Sequence, residues 1–274
     1  MIAWPIACLM MKVFSFLFFI WASTTFACEL KSETVSLSAP ITGVLEDLKL
    51  LSDKNLIAIS MFHPLKDETK IERLGGGLFL SQKSLKRFQK MTIFFDESGE
   101  MKRRLTEAQI AGVIEVQTRS LDPFEVVERA IVKLTPFLKN CDVQLSALKT
   151  HYLSEKDWLL QQTAFKNPMY FFLGEMKENN WPDLLMVQDG PVLFWIKHKK
   201  IQTIESPLAY VRWGERWKKS LTENSQLIGL IHTSDAKKFT VEKKTYWNVT
   251  SAGALTPGPW QIRFMRKFVE SQKF

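Results

Sequence analysis

At 274 residues, 46% hydrophobic and with nine tryptophans, the chain holds enough apolar surface for one large or two smaller packed domains, which excludes a disordered polymer. Its formal net charge of +8 comes from scattered lysines, with no arginine-rich block and no zinc-finger spacing. That pattern argues against nucleic acid as a partner and leaves anionic ligands or surfaces open.

Residues 1–27 read as an export signal. Lys12 precedes the apolar run Val13–Trp21, and Ala22–Ala27 supplies small residues, with Thr25 and Ala27 placed for cleavage after Ala27. The run is too short for a membrane span. Met11 makes a more ordinary start than Met1. Cys8 belongs to this leader, which leaves Cys28 and Cys141 in the mature chain. A Cys28–Cys141 disulfide or free thiols are favoured over lipidation of Cys28, because Phe26 is bulky where a lipidation signal wants a small residue. The expected location is the periplasm.

Beyond the leader, Thr34–Ser38 predicts a first strand, and Ile41, Val44, Leu45, Leu48 and Leu51 the stripe of a helix. Strands follow at Leu56–Ser60, Met91–Phe95 and Val113–Val116, with Gly75–Gly77 as a loop and helices at Ser81–Gln89 and Thr106–Ile110. Such alternation implies a parallel sheet.

A long run from Asp122 to Gln162 then departs from the alternation. Phe124, Val127, Ile131, Leu134 and Leu138 step by three and four, and Leu145, Leu148, Tyr152 and Leu159 continue a weaker stripe. Asp122 followed by Pro123 fits a helix start, and Pro136 predicts a kink or break. Alternation resumes with a strand at Met169–Leu173. Leu184–Ile196, interrupted by Asp189-Gly190-Pro191, reads as strand, turn and helix start. A helix at Arg212–Leu221, a strand at Leu227–Ile231, a loop at Thr250–Gly258 and a last helix from Pro259 complete the chain. The expected layout is an α/β lobe over 28–121, linker helices over 122–162 and a second α/β lobe over 163–274. A single α/β domain with a helical insert is the alternative.

Val35–Pro40 with its following helix, the strand Leu56–Ser60, Leu74–Gly77 with the next helix and strand, and Pro257-Gly258-Pro259 before the last helix carry a resemblance. The mature chain resembles periplasmic solute-binding proteins of ABC importers, of the helix-linked class that takes iron–siderophore complexes, haem, cobalamin and some metal ions. The resemblance implies two Rossmann-like α/β lobes with central parallel sheets, a long rigid helical linker and a ligand cleft between the lobes. It further implies a monomer that captures a small organic or metal-chelate ligand and delivers it to a permease in the inner membrane. One position departs from the pattern. The family's third helix usually opens Asn-x-Glu to dock on the permease, and Lys83 stands where the Glu is expected.

Ligands of open parallel sheets sit beyond the carboxyl ends of the strands. The candidate ligand-binding residues are therefore Phe62, His63, Tyr210, Arg212, Trp213, His232, Trp247 and Trp260. Arg212 offers a planar fork to carboxylate or phosphate, and the tryptophans offer stacking surfaces. As an alternative, His63 and His232 could share a metal ion with Asp235, Asp96 or Glu205. No resident cofactor is expected. No enzyme is expected either, since the sequence has no nucleophile elbow, no phosphate-binding Gly-x-x-x-x-Gly-Lys loop and no His-Glu-x-x-His. A sensor or scaffold with the same fold is the second reading, and a secreted hydrolase the third.

Overall fold

The computed structural model describes residues 27–61, 63–64, 70–75, 80–119, 121–162, 165, 167–177, 182–204, 206–212, 221–222, 224–231, 237–241 and 244–271, with backbone only at 231–252. The candidate residues Phe62, Glu205, Trp213, His232 and Asp235 lie outside the described residues, as does the leader through Phe26.

In the first lobe β2 (Thr34–Leu37), β3 (Leu56–Ser60), β4 (Glu72–Leu74), β5 (Thr92–Asp96) and β6 (Gly112–Val116) form a five-stranded sheet, ordered β4-β3-β2-β5-β6. Every pairing is parallel. The order reverses between β2 and β5, which makes that junction the switch point of the sheet. Helices α1 (Ala39–Asp47), α2 (Gln82–Lys86) and α3 (Gly99–Glu107) connect the strands. α3 begins seven residues before the helix predicted at Thr106–Ile110. Ser98 caps it by accepting from the Met101 N–H at 3.3 Å, and Arg103 pairs with Glu100 and Glu107 along its face.

The run 122–162 comprises four elements: α4 (Pro123–Leu134), a 3-10 turn (Thr135–Phe137), the short strand β7 (Leu138–Lys139) and α5 (Asp142–Gln161). Asp122 opens α4 with a capping box, its side chain accepting from the Phe124 and Glu125 N–H groups while the Glu125 side chain accepts from the Asp122 N–H. Pro136 sits in the 3-10 turn, and Asn140 turns the chain with φ of 58°. α4 packs against α1 and β6 of the first lobe and also against the helices Gly190–Lys197 and Pro259–Ser271 of the second, and α5 adds a helix about 30 Å long. Beside its start, β1 (Glu29–Leu30) pairs antiparallel with β7, and Cys28 is joined to Cys141 with S–S 2.11 Å.

The second lobe departs from a purely parallel sheet. β8 (Met169–Leu173), β11 (Gln226–Ile231) and β13 (Lys244–Thr250) are parallel neighbours. β9 (Leu184–Met186), β10 (Tyr210–Arg212) and β12 (Lys237–Val241) add antiparallel edges, in the order β10-β9-β8-β11-β13-β12. Arg212 thus ends a strand where a helix start was predicted. α6 (Gly190–Lys197), α7 (Ser251–Ala254) and α8 (Pro259–Ser271) pack on this half.

Period-two alternation sets the packing. Phe94 and Phe171 point from their two sheets into one continuous core that also takes Ile41, Leu45, Ile131, Tyr152, Trp195 and Phe268. Their strand neighbours Ile93 and Phe95 face a separate cluster on the first lobe, and Tyr170 and Phe172 another on the second. The central cluster joins both lobes.

Ion pairs brace the same junction. Lys197 of α6 reaches Asp122 at 3.3 Å and Glu125 at 2.8 Å at the start of α4. Arg263 of α8 pairs with Glu46 and Asp47 at the end of α1, and the Tyr152 hydroxyl of α5 donates to Asp47. Arg266 pairs with Glu155 at 2.8 Å and lies 4.1 Å over the Trp158 ring.

Candidate functional site: the facing strand ends

Asp96 occupies the carboxyl end of β5 at the switch point. Ser38 stands at the N-cap of α1 but does not cap its own helix; its hydroxyl donates to Asp96 Oδ1 at 2.6 Å. The Ala39 N–H donates to Asp96 Oδ2 at 3.2 Å. A side chain from the neighbouring strand therefore serves the first orphan donor of α1. Burial raises the Asp96 carboxyl to about 6, against the pull of Ser38 and Ala39 toward the ionised form.

His63 follows β3, next in the sheet. It is 5% exposed and its Nδ1 has no hydrogen-bond partner among the described residues. Burial first, and then the positive charge of Arg73, lowers its imidazole to about 3, so the ring is neutral. Its centroid lies 5.7 Å from that of Trp260, a buried residue of the first turn of α8. This contact crosses from one lobe to an element of the other.

The seam continues beside it. Gly258 has φ of +90°, and a Cβ there would come within 2.9 Å of Pro40 Cα. A Cβ on Gly43 would meet Pro259 Cγ at 2.8 Å. Glycine is needed at both places for the start of α8 to rest on the start of α1. Since α1 follows the carboxyl end of β2 and α7–α8 follow that of β13, the two sheets turn their carboxyl ends toward each other.

Tyr210 and Arg212 sit on the edge strand of the second lobe. The half-buried Tyr210 hydroxyl donates to Asp189, the N-cap residue of α6, and burial raises its pKa above the ordinary phenol value. That hydroxyl holds the fold. Arg212 is exposed, opposite Leu184 in the register. Trp247 lies on β13 opposite Ile228, known here by backbone alone. His63, Trp260, Ser38 and Asp96 are thus held at the facing strand ends, while Arg212 stands at the far edge of the second sheet. The sequence reading missed Arg73 behind His63, which lies on a three-residue strand too short to show a period. Among the described residues no three His, Cys, Asp or Glu side chains converge as a metal site.

No protein-family model matches the sequence, and no curated protein is detectably similar to it. Solved structures are. The periplasmic haem-binding protein HutB of Vibrio cholerae superposes with a TM-score of 0.63 at 11% identity, over 89% of this chain and 99% of that one. The periplasmic vitamin B12-binding protein BtuF of Vibrio cholerae gives 0.62 at 10% identity, over 89% and 98%. A periplasmic haem-binding protein from Pseudomonas aeruginosa gives 0.62 at 12%, over 88% and 92%. The chain has the fold of the helix-linked periplasmic binding proteins. The three proteins named are binding proteins by their names. Among the described residues of this fold, no helix is long and apolar enough to cross a membrane.

Proposed function

We propose that the chain is an exported, periplasmic substrate-binding protein of an ABC-type importer. It captures an iron–siderophore complex, haem, cobalamin or a similar chelate between its lobes, acts as a monomer and performs no chemistry on its cargo. The observation that carries this reading is the pair of α/β lobes whose strand ends face one another across a helix-spanned junction. A haem-binding and a vitamin B12-binding protein superpose on this fold over 89% of the chain. The continuous core limits how far the lobes can part, since opening would expose Phe94, Phe171 and Trp195 to water. Capture therefore proceeds by local movement at the strand ends rather than by wide domain closure. A thiol at Cys28 committed to Cys141 fits a protein released after export rather than one anchored by a lipid at that residue.

A specific observation favours a second reading, a sensor or scaffold of the same fold. Lys83 is exposed on α2 where the family's docking acid is expected. The metal-ion alternative at His63 and His232 has less support, because His63 is buried against Trp260 and only one of the two is described.

Native mass spectrometry of mature protein purified from its own periplasm, before and after a chelator, tests these readings. A bound chelate at one-to-one stoichiometry is the expected result. A protein that arrives empty and ignores haem, cobalamin and ferric siderophores would overturn the transport reading. A bare metal ion lost to the chelator would promote the histidine site instead.

A further inference from the structure

The outer layer of the first lobe carries charge that the fold does not use. Leu85 and Phe88, from α2 and the turn after it, pack with Met101 and Leu105 of α3 in the cluster that takes Ile93 and Phe95, on the sheet face turned away from the central core. The Gln82 side chain ties the two helices by donating to Glu107 at 3.0 Å. Residues 80–90 and 99–107 hold seven cationic side chains and two carboxylates. Both carboxylates are taken, since Arg103 pairs with Glu100 and Glu107. Arg87 pairs with Glu72 of β4, Lys102 pairs with Glu115 of β6, and Arg104 donates to the Leu80 carbonyl. Lys83, Lys86 and Lys90 have no such partner among the described residues, and all three are exposed. They step by three and four along α2 and the turn after it, on the side opposite Leu85 and Phe88. Residues 122–161, which pack on the central core, hold six carboxylates and five cationic side chains, so the basic excess belongs to the outer face.

We propose that this face is a docking surface for an anionic phospholipid bilayer. The proposal goes beyond the binding-protein reading and uses only its premise of export, which sets the chain to work beside membranes. A lysine is a compact charge on a flexible stem, and near an anionic bilayer each one strengthens binding about fivefold without needing a shaped pocket. A protein partner asks for more than charge, because interface centres are rich in aromatic residues and arginine and poor in lysine. Among the described residues neither α2 nor α3 exposes a large apolar side chain. The arginines of this face are already held by Glu72, Glu100, Glu107 and the Leu80 carbonyl. What is left free is a row of lysines, which suits a fluid surface whose headgroups rearrange around it. The contact is peripheral and reversible, since it is electrostatic and reaches only about 8 Å at physiological salt.

The test sediments mature full-length protein with vesicles of phosphatidylcholine, either alone or mixed equally with phosphatidylglycerol. The expected result is binding to the mixed vesicles only, falling steeply as salt is raised. Lys83→Glu, Lys86→Glu and Lys90→Glu combined should lower the partition coefficient by on the order of a hundredfold. The same three positions changed to Arg keep the charge and should keep the binding. Lys133→Glu, Lys149→Glu and Lys267→Glu combined make an equal change in net charge at exposed positions on α4, α5 and α8, and should lose far less. Circular dichroism checks that each variant folds. Equal losses in the two glutamate variants would show that overall charge is read rather than this face, and would overturn the proposal. Failure to bind the mixed vesicles, or binding that ignores salt, would overturn it as well. Capture by immobilised polyglutamate without capture by the vesicles would fit an acidic protein surface and overturn lipid as the partner. None of these outcomes bears on the cargo, whose capture is read separately by mass spectrometry.

Discussion

Arg263 of the last helix donates to Asp47 at the end of the first helix, 216 positions earlier in the chain. The same Asp47 accepts from Tyr152 of α5, so one carboxylate joins three helices from the beginning, middle and end of the sequence. The Arg263 side chain is 40% exposed, and solvent screens part of the attraction. Arg263→Met should therefore lower stability by about 1–2 kcal/mol, seen as a fall of a few degrees in melting temperature. A double-mutant cycle with Asp47→Asn should return a coupling above about 0.5 kcal/mol. Simple additivity would show that the pair is no brace.

The Cys28–Cys141 bond closes a loop with a sequence separation of 113. In the chain-entropy treatment a loop near that size is worth about 4–5 kcal/mol. Cys28→Ser, Cys141→Ser and reduction with dithiothreitol should each destabilise the protein by a comparable amount, and the double serine variant should be insensitive to reductant. Chemical denaturation checks this. An unchanged midpoint on reduction would mean that the thiols are free in the purified protein.

His63 and Asp96 pull the acid limb of stability in opposite directions. The folded imidazole stays neutral down to about 3, whereas the unfolded one takes a proton near 6.5, so the His63 contribution is lost as pH falls from 6.5 toward 3. The folded Asp96 carboxyl binds its proton at about 6 and the unfolded one at 3.8, so its contribution is lost as pH rises from 3.8 to 6. Between about pH 4 and 6 the two slopes oppose, each near 1.4 kcal/mol per pH unit at most. His63→Phe, which keeps a ring against Trp260, should make the protein gain stability on acidification over that window. Asp96→Asn should make it lose stability more steeply than the wild type. Urea midpoints at half-unit pH steps decide the matter, and parallel profiles for all three proteins would contradict these assignments.

Gly258 combines a left-handed backbone with contact against Pro40. Gly258→Ala adds both strain and a clash with backbone that cannot swing aside, and should cost about 1–3 kcal/mol. Gly99→Ala, at a site with open space around it, is the control and should be neutral or slightly stabilising. Equal effects at the two positions would show that the seam tolerates a side chain.

The parallel strands were legible because buried strands such as Leu56–Ser60, Met169–Leu173 and Leu227–Ile231 are short apolar runs bounded by turn residues. α4 was legible for its three-four spacing and its Asp-Pro start. The pair β12–β13 was not, because Lys237–Val241, the edge strand, and Lys244–Thr250 beside it both mix lysines with β-formers rather than forming apolar runs. α3 was misplaced because seven of its nine residues are polar or glycine, so its capping serine and its charge ladder define it rather than an apolar stripe. Of the site, His63, Asp96 and Trp260 could be nominated from their places at strand and helix ends. The Gly258–Pro40 contact could not, since it depends on two segments separated by most of the chain.

That contact also sets an order of events during synthesis. Gly258 and Pro259 rest on Pro40 and Gly43, and the last helix supplies Trp260, Met265 and Phe268 to the core. Until those residues leave the ribosome, the first helix is bare on one side and the central core lacks its closing wall. The junction between the lobes therefore closes only after the strands of both sheets have been made.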